Sequence, residues 1–531
     1  MSKHSSSKQE TTESDSSVQE MLQPQNQWAL IRRSFYKWKM AVFSLYVIIF
    51  LVTISIFAPF IANDMPITYV GQNRLEYRHA YLYLTSQLPK LAVSNPAASP
   101  QKGKPIKEIL QFQIQQMSSC LPNEKALELK EISQKINDVA SSSDDKKAAV
   151  KKIHSLLEKS FHPKEIQLKT KRYWPLLSSL NGGEVTFMLL NLAFLFLPFY
   201  RQISGRFFPK AQWLVAAVLF LAVPILSGFL WWLSVPERLD RTNYKSAVYA
   251  HEAESFPKSD AVIETSLWTP IAFGIDEYNL NSINLPPAFI SGQSTKNQSL
   301  LSKKWDTPHW LGTDGIGRDL MTRMIWGGRI SLAVGIVAVS IYVTIGIIIG
   351  SIAGYFGGTV DLFISRFIEM VIVFPSFFLI LTVIAFVGPS IFNIMVIIGL
   401  TRWTGVARLV RGEFLRVKAQ EFVLAGRALG YSPLRIIYRH ILPNAMAPVL
   451  VAATFGIAGA ILIESGLSFL GLGITIPKPS WGGILSTART TFDSAPWLTY
   501  FPGLAIFITI TAYNLVGEAF RDAADPRLRG K

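Results

Sequence analysis

The sequence predicts an all-α, polytopic membrane protein. Three observations point there: 50% of the 531 residues are hydrophobic, mean hydropathy is +0.29, and several apolar runs stay almost uncharged for long enough to cross a bilayer. A helix rises about 1.5 Å per residue and the hydrocarbon core is about 30 Å thick, so roughly 18 or more such residues are needed. Length alone would allow three soluble domains; here it counts spans instead.

Residues 1–37 read as a cytoplasmic tail. As far as residue 27 they are rich in Ser, Gln and Glu, with too little apolar surface to offset the entropy of ordering, which predicts disorder. The first transmembrane helix is expected over 38–62, with its apolar run starting at Met40 behind Arg32, Arg33, Lys37 and Lys39. A cleavable signal peptide would start nearer the N-terminus and end in a small-residue cleavage site, so this run reads as a retained anchor. Its basic flank places the N-terminus in the cytoplasm.

The polar stretch 63–183 carries Lys-rich helical patterns at 124–139 and 144–159 and reads as an external, soluble helical insertion. Two apolar runs follow, 185–200 and 213–233, separated by Arg201, Arg206 and Lys210. They predict an extra transmembrane hairpin over 184–233. The first run is short and contains Pro198, so a re-entrant or interfacial helix remains the alternative. Residues 234–308 then form an external segment.

The remainder, 309–531, reads as a transmembrane core with spans at 330–354, 370–387, 391–403 (carried on to Val406), 446–470 and 500–520. Between the third and fourth of these lies a cytoplasmic loop, 402–444. It holds Arg402, Arg408, Arg411, Arg416, Lys418, Arg427, Arg435 and Arg439 against Glu413 and Glu421, as an inside loop should. On this count the C-terminus is also cytoplasmic.

The formal charge of +16 fits the solvated inner face of a membrane protein better than nucleic-acid binding. The single cysteine, Cys120, excludes an intrachain disulfide framework and a multi-cysteine metal site. The seven histidines contain no His-Glu-x-x-His pair, so zinc hydrolysis has no support. His251 with Glu252 and Glu254 reads as a solvated cluster. The Gly-Lys pairs at Gly103-Lys104 and Gly530-Lys531 lack the rest of a phosphate-binding loop.

Within the spans, Gly346, Gly350 and Gly354 recur every fourth residue, as do Ala452, Gly456, Ala460 and Glu464. Small residues at that spacing let helix backbones approach closely where lipid offers no hydrophobic drive. Glu464 shares its ridge with small residues, which aims it at protein or at a watery path. It is a translocation or gating candidate; the competing reading is a hydrogen bond to a neighbouring helix end or a place at the membrane interface, and Glu369 near a span end takes that reading too. Gly312 to Asp319 reads as a structural turn just outside the membrane that could join Asp and Arg side chains, with substrate binding as the alternative.

In the basic loop, 419–429 has helical spacing and ends at Gly430, which suits a left-handed cap. Ser432 and Pro433 suit the N-cap and first position of a second helix, expected to end near Pro443. Together they predict a helix-turn-helix elbow.

The stretch EFVLAGRALGYSPLRIIYRHILPN, Glu421 to Asn444, resembles the coupling loop of ABC importer permeases. Gly430 and the Leu442-Pro443 pair are in place, while Leu424, Ala425 and Gly426 stand where the strict pattern has Glu-Ala-Ala. Three further blocks narrow the resemblance to the C-type inner-membrane subunit of the oligopeptide, dipeptide and nickel permease family. They are HWLGTDGIGRDLMTRMIWGGRISL from His309, GLSFLGLGITIPKPSWGGIL from Gly466 and GEAFRDAADPRLRG from Gly517.

The resemblance implies a six-span permease core in a bacterial cytoplasmic membrane. It implies a heterodimer with a related permease, two cytoplasmic ATP-binding subunits and an external substrate-binding protein. Glu421, Ala425, Gly426, Gly430, Ser432, Pro433, Leu442 and Pro443 would form the ATPase-coupling loop. This chain would bind no cofactor, no metal and no nucleic acid, with ATP and Mg used by the partners. Peptides are the expected cargo, with nickel or another small solute as the alternative. A membrane-embedded enzyme using Glu464 with Asp314 or Arg318 lacks a paired acid and base. An ion-coupled transporter should show inverted repeats, and none is visible. The resemblance does not cover the residues between the first span and His309.

Overall fold

The computed structural model describes residues 27–89, 106–141, 146–163, 166, 168–197, 212–235, 244–245, 261–288, 308–473 and 478–524. The tail before residue 27, the basic loop at 201–210 with Pro198, the cluster at His251 and the residues after Ala524 lie outside them. The chain forms two compact units. One comprises Met1–Ala58, Ile275–Gly292 and His309–Lys531; the other comprises Pro59–Gly274 and Gln293–Pro308.

The first unit begins with α1 (Gln27–Lys37) and α2 (Lys39–Ile56). Ile31 and Phe35 of α1 are buried while Arg32, Arg33 and Lys37 are exposed, the pattern of a helix lying along an apolar surface.

The second unit is helical apart from one small sheet. Strand β1 (Thr68–Asn73) leads into α3 (Arg74–Gln87), α4 (Ile106–Cys120), α5 (Asn123–Ser141) and α6 (Lys146–Ser160). These four helices enclose Tyr77, Leu84, Leu110, Met117, Leu129 and Leu157. The Tyr77 hydroxyl donates to the Phe161 carbonyl at 2.8 Å. Burial, with Tyr81 and Cys120 adding, pushes the Tyr77 phenol well above its ordinary range. Strand β2 (Lys171–Tyr173) follows.

Next come α7 (Gly182–Leu195) and α8 (Gln212–Ser234), then β3 (Ala261–Leu267). The sheet order is β2-β1-β3, antiparallel throughout, with Tyr69 opposite Tyr173 and Ser266. This sheet is an addition to the helical insertion read from the sequence. Helices α7 and α8 approach closely: a Cβ at Gly182 would lie 2.5 Å from the Gly228 carbonyl oxygen. Their outward side chains, among them Phe187, Phe194, Ile225, Phe229 and Trp232, are exposed and apolar. At 14 residues α7 is short for a span, reaching about 21 Å.

The first unit resumes with α9 (Leu320–Phe356), a helix of 37 residues about 55 Å long, so it outruns the hydrocarbon core. Gly357 at φ 67 and Gly358 at φ 57 reverse the chain into α10 (Gly358–Val373). Helix α11 (Ser376–Val387) follows after a 76° bend. The single span expected over 370–387 is therefore broken. Pro375 removes a backbone donor and drives Phe374 to extended geometry, φ −78 and ψ 122.

Helix α12 (Ile391–Lys418) runs without interruption past Trp403. The basic residues 402–418, read from sequence as loop, thus lie on a helix. A helix satisfies its own backbone whatever its side chains, so loss of hydropathy does not end it. Helix α13 (Glu421–Ala428) is followed by α14, which runs from Pro433 to Phe469. The expected stop near Pro443 is absent. A π-helical turn at Ile437–Ile441 widens the helix, and the Leu442 N–H donates to the Ile437 carbonyl. That wider turn accommodates a residue with no donor of its own. The chain closes with α15 (Trp481–Ala488) and α16 (Trp497–Ala524).

Among the described residues, five helices (α2, α9, α12, α14 and α16) are long and apolar enough to cross a membrane, and the α10–α11 pair supplies a sixth span if counted as one. All six lie in the first unit. Helices α9 and α12 meet along the glycine ridge: a Cβ at Gly346, Gly350 or Gly354 would fall 2.5 to 2.6 Å from Val406, Ala407 or Phe414. Gly456 of α14 admits the Tyr342 hydroxyl of α9, Ala460 is fully buried and Ala452 is half-buried.

Candidate functional site

The elbow is built on local backbone chemistry. Helix α13 ends when Leu429 caps it and Gly430 turns left-handed at φ 75. The Tyr431 N–H then donates to Gly426 at 3.1 Å and the Gly430 N–H to Arg427 at 2.9 Å. These are the paired 6→1 and 5→2 bonds of a Schellman closure, which satisfies carbonyls that a helix end leaves orphaned. Ser432, extended at φ −63 and ψ 149, hands over to Pro433 at the first position of α14.

One side of the elbow is sealed into the span core through Val423, Ile436 and Ile441. Its other side is open: Leu429 is 70%, Leu434 79% and Tyr438 77% exposed. Glu421, Ala425, Ser432 and Pro433 also face outward, Gly426 is buried, and Leu442 and Pro443 lie just beyond the π-turn. The Tyr431 ring stacks on His440, centroids 5.8 Å apart, with the Arg435 guanidinium 4.1 Å above it.

Sequence reasoning missed what holds this elbow. Lys418 donates to the Tyr355 carbonyl, and the Lys418 and Arg427 cations lie 5.7 Å and 5.3 Å from the Tyr355 ring centre. Alongside, Arg411 donates twice to Asp361, through Nε to Oδ1 and through Nη2 to Oδ2, the latter at 2.7 Å. The i, i+3 spacing of charges on a helix could not reveal these pairs, because each joins two separate helices.

Glu464 is fully buried. It accepts from Ser468 at 2.7 Å, from Ser331 of α9 at 3.3 Å and from Ser465 at 3.5 Å. Ser331 in turn accepts the Trp481 N–H at 3.2 Å, so one carboxylate ties α9, α14 and the start of α15. Gly482 fits against this knot; a Cβ there would lie 2.6 Å from the Ser465 Cα. The i, i+4 spacing of Glu464 and Ser468 puts the two on one helix face, but nothing local pointed to Ser331. Glu369 is exposed and pairs with Arg366 at 2.7 Å.

The turn before α9 is a buried polar cluster. Asp314 takes the Arg318 Nε at 2.7 Å and its backbone N–H at 2.9 Å. Asp319 caps α9 through the Thr322 N–H at 2.7 Å and holds His309 Nδ1 at 2.9 Å. With acids and bases tied to one another and to the backbone, this cluster anchors a helix start.

A broken-span bundle of apolar helices, with a rigid elbow at one end, is what an inner-membrane permease subunit needs, and the comparisons agree. Residues 346–530 match the family model for the binding-protein-dependent transport system inner membrane component. Residues 26–83 match the N-terminal TM domain of oligopeptide transport permease C. The chain is similar to the dipeptide transport system permease protein DppC of Alkalihalophilus pseudofirmus, 39% identical over 48% of this chain and 84% of the relative. It is similar to the oligopeptide transport system permease protein OppC of Haemophilus influenzae, 44% identical over 42% of this chain and 71% of the relative. It is also 40% identical to the glutathione transport system permease protein GsiD of Pectobacterium atrosepticum, over 42% of this chain and 73% of the relative.

The class is thus an ABC importer permease, a multi-pass protein of the inner membrane and not an enzyme. Within it, the chain belongs to the family of binding-protein-dependent peptide transport permeases that includes the DppC and OppC subunits.

Proposed function

We propose that this chain forms half of the translocation pathway of an ATP-driven importer of dipeptides or oligopeptides. In this reading a related permease completes the pore as a heterodimer, two cytoplasmic subunits bind ATP and Mg, and an external binding protein delivers cargo. Both termini of the chain lie in the cytoplasm. The relatives' names, all transport permeases for peptides or glutathione, support the cargo class.

The observation that carries the coupling assignment is the two-sided elbow. Val423 and Ile436 lock one face to the spans, while Leu429, Leu434 and Tyr438 leave the other apolar and open. Exposed apolar side chains on a rigid projection mark a contact surface. Nucleotide-driven closure of the ATPase pair would move the elbow and shift the spans between two states by binding one of them more tightly.

The test is purification of the assembly through a tag on this chain. A Leu434→Asp, Tyr438→Asp double variant is expected to lose the ATP-binding subunits while keeping the second permease; retention of both ATP-binding subunits refutes the docking assignment. Uptake of labelled dipeptides, tripeptides and nickel in a deletion strain separates the cargo classes. Orientation of the 63–183 region needs a surface probe, since Cys120 is buried. Gln116→Cys in a Cys120→Ser background supplies one, and its labelling by an impermeant maleimide on intact spheroplasts is expected.

A further inference from the structure

We infer that Tyr355 is a positioning residue that fastens the elbow to the inner end of α9, so that elbow movement is passed along α9 to the segment held at Trp481. This inference rests on the docking reading above and adds the route by which docking reaches the contact of Ser331 with Glu464 and Trp481.

Tyr355 is 9% exposed and sits in the last turn of α9, just before the two left-handed glycines. Two cations from the elbow side lie over its ring: Lys418 at the end of α12 and Arg427 on α13. Both are within the roughly 6 Å at which a ring quadrupole attracts a cation. Only Ala419 and Gln420 separate α12 from α13, so the angle of α13 is set by what grips it. Arg427 is its charged grip on α9, while Lys418 fixes the neighbouring helix end through the Tyr355 carbonyl as well.

Farther along the same helix, in its N-terminal third, Ser331 is bonded to Glu464 and to the Trp481 N–H. Residues 331 and 355 belong to one unbroken helix and lie about 36 Å apart along it at 1.5 Å per residue. Closely packed helices pass displacement along their length because a packed interface does not deform continuously. The glycine ridge, which brings α9 against Val406, Ala407 and Phe414, keeps that rod aligned with α12.

The inference is tested in the full assembly, purified through this chain and reconstituted in vesicles, by counting labelled tripeptide moved per ATP hydrolysed. Tyr355→Leu is expected to lower that ratio about five- to tenfold, because two weak cation–π contacts are lost together. Tyr355→Phe, which keeps the ring face, is expected to stay close to wild type. Arg427→Gln should lower the ratio too, and combining it with Tyr355→Leu should add little further loss.

An unchanged ratio in Tyr355→Leu, or equal losses in Leu and Phe, overturns the inference. Should Tyr355→Leu fail to accumulate, the exposed Arg427→Gln decides: an unchanged ratio there overturns it as well. Failure of the docking reading is seen separately, as ATP-binding subunits retained by the Leu434→Asp, Tyr438→Asp variant. Loss of the ratio with those subunits still bound to the Tyr355 variant is the signature of a broken transmission.

Discussion

The Tyr431 backbone N–H reaches back to the Gly426 carbonyl at 3.1 Å, and that bond closes α13 around Gly430. The two glycines of this turn then have opposite requirements. A Cβ on Gly430 would meet nothing within 4 Å, but the residue stands at φ 75, where L side chains are strained; a Cβ on Gly426 would meet Tyr431 at 3.5 Å, an ordinary contact. Gly430→Ala is expected to cost about 1 kcal/mol and Gly430→Val more, whereas Gly426→Ala, in a helix, should be neutral or slightly stabilising. Limited proteolysis at Arg427 and Arg435 reads the difference: faster cleavage in Gly430→Val and none gained in Gly426→Ala. The reverse order would show that space and not backbone conformation controls the turn.

The glycine ridge offers a matched pair on facing helices. At Gly350 a Cβ would lie 2.5 Å from the Ala407 carbonyl oxygen, a backbone atom that cannot swing away, while at Gly412 it would meet nothing within 4 Å. Gly350→Ala is therefore expected to destabilise by about 1–3 kcal/mol through overpacking, and Gly412→Ala to gain up to about 1 kcal/mol of helix propensity. Thermal unfolding in detergent should move down for the first and not for the second. Equal melting temperatures would mean that α9 and α12 part at little cost.

Hydropathy made the spans legible and misjudged their ends. Residues 402–418 looked like loop because arginines displaced apolar residues, yet α12 holds its hydrogen bonds through them. Pro443 looked like a stop because an ordinary α-helix has no place for it, but five residues of π-helix make one. The break at Pro375 has a local cause in the restriction a proline places on the residue before it, which an unbroken apolar run does not display.

The sheet was hidden for another reason. Its strand β2 has three residues, and β1 finds its partners at Tyr173 and Leu267, where no local periodicity can point. The same division runs through the site. Gly430, Ser432 and Pro433 announce the elbow because capping is local. Tyr355 and Ser331 were silent, since their partners Lys418 and Glu464 lie 63 and 133 positions away.

Glu464 can be assigned by separating charge from hydrogen bonding. In the structure its carboxyl group is consumed by Ser331, Ser465 and Ser468, which describes a tie between helices. Glu464→Gln keeps an acceptor oxygen in place and is expected to retain most peptide uptake. Glu464→Ala leaves buried hydroxyls without an acceptor, at about 1–3 kcal/mol for each left unpaired, and should lower both melting temperature and uptake. A Gln variant that folds at wild-type stability yet transports nothing would instead make Glu464 a pathway residue whose charge is used.

Tyr77 supplies a pH signature confined to the second unit. Burial raises its folded-state pKa far above the ordinary phenol value, so the folded protein keeps the proton that the unfolded chain loses above about pH 10. Stability from this group is complete below that pH and falls as pH rises past it, by up to about 1.4 kcal/mol per pH unit. Tyr77→Phe removes the hydrogen bond to Phe161 and should cost about 1 kcal/mol at pH 7, but it also removes the ionisation. Thermal melts of the full chain between pH 8 and 11 should therefore fall less steeply for Tyr77→Phe than for wild type, the two curves converging at the alkaline end. Parallel curves would show that the Tyr77 proton is not what the fold protects.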